Sequence, residues 1–350
     1  MKWLLVFLIG CATATVQGPH VEPPVGAEAK PTAEMRIHLI DVGQGAATLI
    51  EFSCGVVLVD TGGEQNGMFD SNKRLTEYLD RFFKQHKRFN STINLLVLTH
   101  PHIDHTRAAM IVYNRYHVLN VVTDGLREGS GGETQSALIG VAKAQVQVHA
   151  SDIPAKGLRD AVIDPLSCPD GDPDIRAFGG DDSSVNANND SVVMRFTLGQ
   201  ARFLITGDME REGIADLLAK NGPELHADVW QVGHHGSWNA TTKELLDAIQ
   251  PKLALIGMGR VERQDTWSAW AYGHPRIESI ELLEKALTGP KRDPIEVSVG
   301  HGARDFAART ITAPIYATGW DGDVLVTLHA DGRATVRFHH SAGNATAVAP

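Results

Sequence analysis

The chain is predicted to fold as a layered α/β sandwich, and three observations carry that expectation. Short apolar, β-rich runs dominate both halves of the sequence, with helical patterns between them. Several of these runs end on carboxylates, histidines or glycines. One of them, residues 93–98, leads straight into His100-Pro101-His102-Ile103-Asp104-His105. Two β-rich halves with covering helices can bury their apolar faces as stacked layers, which collects the polar strand ends along one edge.

The elements follow in order. Residues 36–40 and 47–52 are β-rich runs joined by Asp41-Val42-Gly43-Gln44-Gly45. Residues 55–60 form a strand that ends on Asp60 and is followed by Thr61-Gly62-Gly63. Leu75, Tyr78, Leu79, Phe82 and Phe83 recur at helical spacing on one face. After the strand at 93–98, a helix is expected to start just past Asp104 and to run to Tyr113. Strands follow at 118–123 and 144–149. Residues 164–190, rich in Pro, Asp, Gly, Ser and Asn, are expected as a long polar loop, either a lid or an insertion. Strands resume at 191–198 and at 201–206, the second running into Gly207-Asp208. A helix is expected over 211–220. A strand at 229–232 ends in Gly233-His234-His235-Gly236-Ser237. A helix at 242–249, a strand at 253–258, a helix at 277–287 and strands at 314–317, 324–329 and 334–339 complete the pattern.

Composition sets bounds on function. With 350 residues, 43% hydrophobic and 21% charged, the chain can bury a sizeable core. A net charge of −10 argues against coating long nucleic acid by electrostatics alone. Bound divalent ions would still create a positive focus inside such an acidic shell. Lys2, an apolar stretch at 3–10 and Ala12-Thr13-Ala14 read as an export signal over residues 1–17. Alternatively, Leu8-Ile9-Gly10-Cys11 resembles a lipobox, which would leave Cys11 as a lipid anchor. Pro19, Pro23, Pro24 and Pro31 make residues 18–34 an extended linker. No later segment is long and apolar enough for a transmembrane domain. The expected location is therefore outside the cytoplasm, periplasmic or extracellular, with or without the anchor. Cys54 and Cys168 could pair in an oxidising compartment, but the sequence does not bring them together.

The His/Asp run carries the chemistry. Three imidazoles and a carboxylate leave one strand end within a single turn, and these are ligands that Zn²⁺ prefers, with Mn²⁺ also served. Residues 100 and 102 can face one ion while 104 and 105 reach a second. A solvated His-rich turn is the bland alternative. No Gly-x-Ser-x-Gly elbow offers a protein nucleophile.

At this point the chain resembles the metallo-β-lactamase superfamily, and within it the hydrolase domain of ComEC/Rec2-type competence proteins. The resemblance rests on residues 37–45, 58–62, 99–105 and 189–193, and on Phe203-Leu204-Ile205-Thr206-Gly207-Asp208, Val232-Gly233-His234-His235-Gly236-Ser237 and Tyr272-Gly273-His274-Pro275. These stand in the family's order and cover about residues 36 to 330. Two departures stand out. Ala46 occupies a place that is usually acidic. Asn188-Asn189-Asp190-Ser191 stands where many members carry a third histidine for the first metal, although the competence branch tends to carry Asn there. The chain also lacks the long membrane channel of a full-length competence protein, so it is expected as a stand-alone exported domain.

The resemblance implies a four-layer αββα sandwich over residues 35–340 and a site for two divalent ions, Zn²⁺ first and Mn²⁺ second. His100 and His102 would hold the first metal, and Asp104 and His105 the second. Asp208 would bridge both. One of His234 and His235 would complete the second set, with His234 slightly favoured. Asp60 would orient the ligand loop, as carboxylates do for metal-bound histidines. Ser237, His274 and Gln44 would contact substrate. Two ions about 3.5–4 Å apart lower the pKa of a bound water toward ~7. Asp104 would then hold the attacking hydroxide in line, with Asp208 as its catalytic partner. The implied activity is that of a phosphodiesterase or nuclease acting on DNA, a nucleotide or another phosphodiester. A hydrolase of another ester or amide, with β-lactams ranked low, and a non-catalytic metal-binding protein are the alternatives. Trp238, Trp267 and Trp270 lie near these motifs, where aromatic rings either stack bases or pack a core.

Overall fold

Successive strand residues point to opposite faces, so an apolar run buried on both sides feeds two cores at once. The computed structural model describes residues 33–179 and 186–339. Its first half runs β1 (Glu34–Leu39), β2 (Thr48–Glu51), β3 (Val56–Val59), α1 (Ser71–Gln85), β4 (Thr92–Val97), α2 (Ile103–Thr106), α3 (Ala109–Arg115), β5 (His117–Thr123), α4 (Gly132–Val141) and β6 (Gln145–Gln147). The second half begins β7 (Asp174–Phe178), β8 (Val193–Leu198), β9 (Ala201–Ile205), α5 (Arg211–Asn221), β10 (Val229–Gln231), α6 (Lys243–Ile249), β11 (Leu253–Ile256), α7 (Ala269–Tyr272) and α8 (Ile277–Ala286). It closes with β12 (Ile295–Gly302), β13 (Asp305–Ile311), β14 (Ile315–Ala317), α9 (Thr318–Asp321), β15 (Asp323–His329) and β16 (Ala334–His339).

The strands form an eight-stranded sheet, β16-β15-β1-β2-β3-β4-β5-β6, and a six-stranded sheet, β14-β11-β10-β9-β8-β7. The run β3 to β6 is parallel, as are the pairs of β10 with β9 and β11 and of β11 with β14. Between the sheets lies one core, with Ile37, Val57, Leu95 and Val97 from the first and Phe196, Phe203, Ile205 and Leu255 from the second. On the outer face of the first sheet, Leu58 and Leu96 meet Leu75, Leu79, Phe82 and Phe83 of α1. On the outer face of the second, Leu204, Trp230 and Ile256 meet Leu217, Leu245 and Ile280 of α5, α6 and α8. Helix, sheet, sheet and helix thus stack as the expected αββα sandwich.

Four stretches differ from expectation. The polar segment at 164–190 contains β7, whose Ile175, Ala177 and Phe178 are fully buried and which pairs antiparallel with β8. Its five residues are hidden among turn formers. The helix expected to run to Tyr113 is two helices. The Ala108 N–H donates to the Thr61 carbonyl at 3.1 Å, and that bond interrupts the helix between α2 and α3. Helix α4 and the β12–β13 hairpin occupy residues to which the sequence assigned no element.

Cys54 and Cys168 are disulfide-bonded, which ties the β2–β3 turn to the segment before β7. No helix among the described residues is long and apolar enough to cross a membrane. The expected signal at 1–17 and Cys11 lie outside the described residues, as does the linker at 18–34 up to residue 32. Glu34, expected in that linker, already belongs to β1.

Candidate metal centre

Each functional side chain hangs from the carboxyl end of a central strand. Asp60 follows β3, residues 99–105 follow β4, Asp208 follows β9, and His234 and His235 follow β10. The loops after β3 and β4 are laced together. The Thr61 N–H donates to His105 O at 2.7 Å, Gly62 N–H to Ala46 O at 3.1 Å, and Ala46 N–H to Asp104 O at 3.0 Å. Gly62 is required here, because a Cβ at that position would lie 1.8 Å from the backbone carbonyl of Asp104.

Asp60 sits beneath the ligand loop with 1% exposure and a positive φ of 59°. It accepts from the Thr99 N–H at 2.8 Å, from the Thr99 hydroxyl at 2.9 Å and from His105 Nδ1–H at 2.8 Å. That last bond fixes the imidazole so that Nε2 faces Asp208 Oδ2 at 3.2 Å. His235 is held in the same way. Its Nδ1–H donates to the Gly257 carbonyl at 2.7 Å, and its Nε2 stands 3.2 Å from Asp104 Oδ2 and 3.4 Å from Asp208 Oδ2. Asp208 Oδ1 accepts the His234 N–H at 3.1 Å, which leaves Oδ2 turned toward the rings.

One ligand atom from each of Asp104, His105, Asp208 and His235 lies within 4.8 Å of the other three. Of the two adjacent histidines it is His235 whose ring joins this cluster, whereas the sequence slightly favoured His234. The reason is backbone geometry. His234, His235 and Gly236 form a left-handed turn with φ of 49°, 54° and 79°, which splays the two imidazoles apart. His234 Nε2 stands 3.9 Å from Asp208 Oδ2, and its Nδ1 is 3.4 Å from Glu210 Oε1. His100 Nε2 and His102 Nδ1 converge at 3.1 Å, with His100 Nε2 4.0 Å from Asp208 Oδ2. Asp208 is thus common to both groups of rings.

The donor set fits divalent cations. His105 Nε2 is a buried nitrogen without a hydrogen-bond partner, aimed at a carboxylate. Burial opposes charge on His105 and His235, yet nearby carboxylates outweigh it. Asp208 and Asp60 hold His105 well above the usual imidazole range, and Asp208 and Asp104 push His235 up to about 10. Burial raises the carboxyls in turn, but His105 and His235 hold Asp104 and Asp208 below the ordinary range. The carboxylates of the cluster thus favour positive charge next to them. His100 shifts the other way, since burial and then His105 keep it neutral and ready as a nitrogen donor.

These groups floor a cavity of about 230 Å³. Gln44 and His274 line it, as expected for substrate contacts. Ser237 does not. It is buried outside that lining, and its backbone carbonyl accepts the Ser279 hydroxyl at 2.8 Å. Gln44 Oε1 accepts the Gly259 N–H at 3.3 Å, so its Nε2 donates to His274 Nδ1 at 3.1 Å. The neutral ring, kept so by burial and then by His235, carries its proton on Nε2. Where many relatives carry a third histidine, Asn188 lines the cavity and donates to Glu210 Oε1 at 2.7 Å, while Asn189 Oδ1 accepts the Glu210 and Gly213 N–H groups. Sequence reasoning missed Arg107 and gave Tyr272 no role, though both line the cavity. Tyr272 lay inside a quoted motif, whereas an arginine one turn past the ligands carried no signal.

A metallo-beta-lactamase superfamily model matches residues 40–260. The chain belongs to this superfamily. Among curated proteins it is similar to ComE operon protein 3 of Bacillus subtilis, at 28% identity over 73% of this chain and 31% of the relative. It is also similar to Recombination protein 2 of Haemophilus influenzae, at 27% identity over 74% of this chain and 28% of the relative. The chain thus spans less than a third of the length of these relatives. Among solved structures it is similar to the metallo-beta-lactamase fold protein YhfI from Bacillus subtilis, at 11% identity and a TM-score of 0.43, covering 73% of this chain and 94% of that one. Superfamily membership makes the protein a metal-dependent hydrolase.

Proposed function

We propose that this protein is a phosphodiesterase of the nuclease type that acts outside the cytoplasm on DNA, nucleotides or a related phosphodiester. One observation carries the reading. Asp208 Oδ2 stands 3.2 and 3.4 Å from the Nε2 atoms of His105 and His235, and 3.9 and 4.0 Å from those of His234 and His100. A single carboxylate at the centre of two nitrogen-rich groups suits a pair of divalent ions. In this reading Asp104, His105, Asp208 and His235 hold one ion. His100 and His102 hold the other, with His234 on the same side of Asp208. Zn²⁺ or Mn²⁺ bound there supplies a water of lowered pKa and neutralises charge on the reacting oxygens.

The chain's own residues set the geometry. Asp104 orients the attacking water. His274 Nε2–H donates to a phosphoryl oxygen, with the ring held in that tautomer by Gln44. Arg107, whose Nε–H is bonded to Gly63 O at 2.9 Å, offers its remaining N–H groups to the phosphate. An anionic substrate fits donors of this kind better than a neutral amide does. The competence and recombination names of the relatives agree with a nucleic-acid substrate. The Cys54–Cys168 disulfide supports an oxidising, exported location, since such bonds rarely persist in the cytosol.

The test is hydrolysis of bis-p-nitrophenyl phosphate, single-stranded DNA and nitrocefin by metal-stripped protein, before and after Zn²⁺ or Mn²⁺ is restored. Metal-dependent phosphodiester cleavage that Asp104→Ala abolishes is expected. Turnover of nitrocefin alone would move the protein to the lactamases.

A further inference from the structure

The cavity above the metal ligands has an aromatic side wall that metal chemistry does not need. Trp267 is 60% exposed and Tyr272 40% exposed, and both line the same cavity as Asp104 and Asp208. The rings step toward the ligands at intervals of about 6 Å. Trp267 to Tyr272 is 6.3 Å between centroids with planes 60° apart, Tyr272 to His274 is 5.8 Å with planes 20° apart, and His274 to His235 is 6.0 Å with planes 32° apart. Neither of the other tryptophans flagged in the sequence belongs to this row. Trp270 lies under the Arg304 guanidinium at 5.1 Å and Trp238 under that of Arg211 at 5.0 Å.

Trp267 also has a φ of 60°. A bulky residue seldom adopts left-handed backbone, and such strain concentrates at ligand clamps. Core packing cannot be its purpose, because most of the ring is in solvent. Arg107 lines the same cavity, where its Nε–H donates to Gly63 O and the Asp104 carboxylate acts on it through space. The cavity therefore offers the exposed face of Trp267, with Tyr272 set at an angle to it, and a guanidinium on the same wall that the Asp104 charge reaches without a direct ion pair. A net charge of −10 gives little long-range attraction for a polyanion, so affinity for one has to come from local contacts of this kind.

We propose that the exposed face of Trp267 is a platform on which a nucleobase of the substrate stacks, with Tyr272 as an angled wall beside it, while Arg107 holds a phosphate. The site then takes an unpaired strand or its end, because a base within a duplex keeps both faces against its neighbours. This inference names the substrate of the phosphodiesterase reading and rests on it.

Two measurements separate the inference from that reading. The first compares thymidine 5′-(p-nitrophenyl phosphate) with methyl p-nitrophenyl phosphate, which share the reacting phosphodiester and the leaving group but differ in the nucleoside, sugar and base together, so that the Trp267 variants report the share due to the ring. The wild type is expected to prefer the thymidine ester. Trp267→Ala should lower that preference in kcat/KM about tenfold, through KM, and Trp267→Phe should keep most of it. An unchanged preference in Trp267→Ala would overturn the platform. The second is fluorescence anisotropy of a labelled octathymidylate, alone and annealed to its complement, with metal-free protein. Single-strand binding at least fivefold weaker in Trp267→Ala and retained in Trp267→Phe is expected, with the duplex bound less well by the wild type. Equal binding by Trp267→Ala, or tighter binding of the duplex, refutes the platform. If neither ester is hydrolysed, the phosphodiesterase reading fails while the binding result still decides the platform.

Discussion

Replacing Asp60 with Asn tests how the ligand loop is held. The change is isosteric and the residue is only 1% exposed, so it alters hydrogen bonding rather than packing. Oδ1 accepts the Thr99 N–H at 2.8 Å and Oδ2 accepts His105 Nδ1–H at 2.8 Å, so the site requires an acceptor at both positions. An amide has one. If its oxygen stays with Thr99, its NH₂ confronts His105 Nδ1 and drives the ring to the opposite tautomer. The proton then moves to Nε2, the nitrogen that faces Asp208 at 3.2 Å, and the lone pair needed for a metal is lost. Removing a carboxylate that orients a ligand in this way costs 10- to 100-fold in metal affinity, or about 1.4–2.7 kcal/mol. Isothermal titration of Zn²⁺ or Mn²⁺ into chelator-stripped protein measures it, with unfolding of the metal-free protein followed in parallel. Affinity within twofold of wild type in a folded Asp60→Asn variant would refute the reasoning.

Three further predictions follow from backbone contact, the disulfide and a buried acid. Gly62→Ala forces a methyl group to within 1.8 Å of the Asp104 backbone. It should lower Tm by several degrees and weaken metal binding, whereas Gly67→Ala, which meets nothing within 4 Å, should do neither. Cys54 and Cys168 are 114 residues apart, so in the loop-entropy picture reduction should cost about 4–5 kcal/mol in guanidinium unfolding. A loss under about 1 kcal/mol would count against that account. Burial pushes the Asp124 carboxyl up to about 7, above its ordinary 3.8. The folded state then binds this proton more tightly than the unfolded state, so stability falls as pH rises from about 4 to 7 and levels off above. Asp124→Asn keeps the acceptor for Gln135 and Leu126 but stays neutral. At pH 8 it should be more stable than wild type by about 2–4 kcal/mol, with the gap closing near pH 4 in a pH series of urea unfolding curves.

Much of this architecture was legible because its signals are local. Central strands read as apolar runs, and their carboxyl ends were marked by Asp60, His100, Asp208 and His234-His235. Helix α1 read clearly because Leu75, Leu79, Phe82 and Phe83 all face the sheet. What escaped was non-local. Helix α4 buries Gln135 beside Leu138, so its inner face does not read as apolar. Strand β7 is too short to stand out among prolines and aspartates. The choice between His234 and His235 depends on a left-handed turn and on the Gly257 carbonyl, which lies at the end of another strand. The pairing of Cys54 with Cys168 needed the tertiary fold. Arg107 was silent because only the tertiary fold brings it to the cavity wall.

The residues gathered around Asp208 come from both sheets. Asp60, His100, His102, Asp104 and His105 belong to the eight-stranded one, and Asp208, His234 and His235 to the six-stranded one. In the proposed reading, an ion held by residues from both would act as a rivet through a laminate. Linkage makes the effect reciprocal. Whatever resistance to shear the rivet lends the two plies, looser interdigitation between them takes from its grip. A Phe196 or Leu255 deep in the lamination is then, in thermodynamic terms, a determinant of metal affinity that never touches the metal.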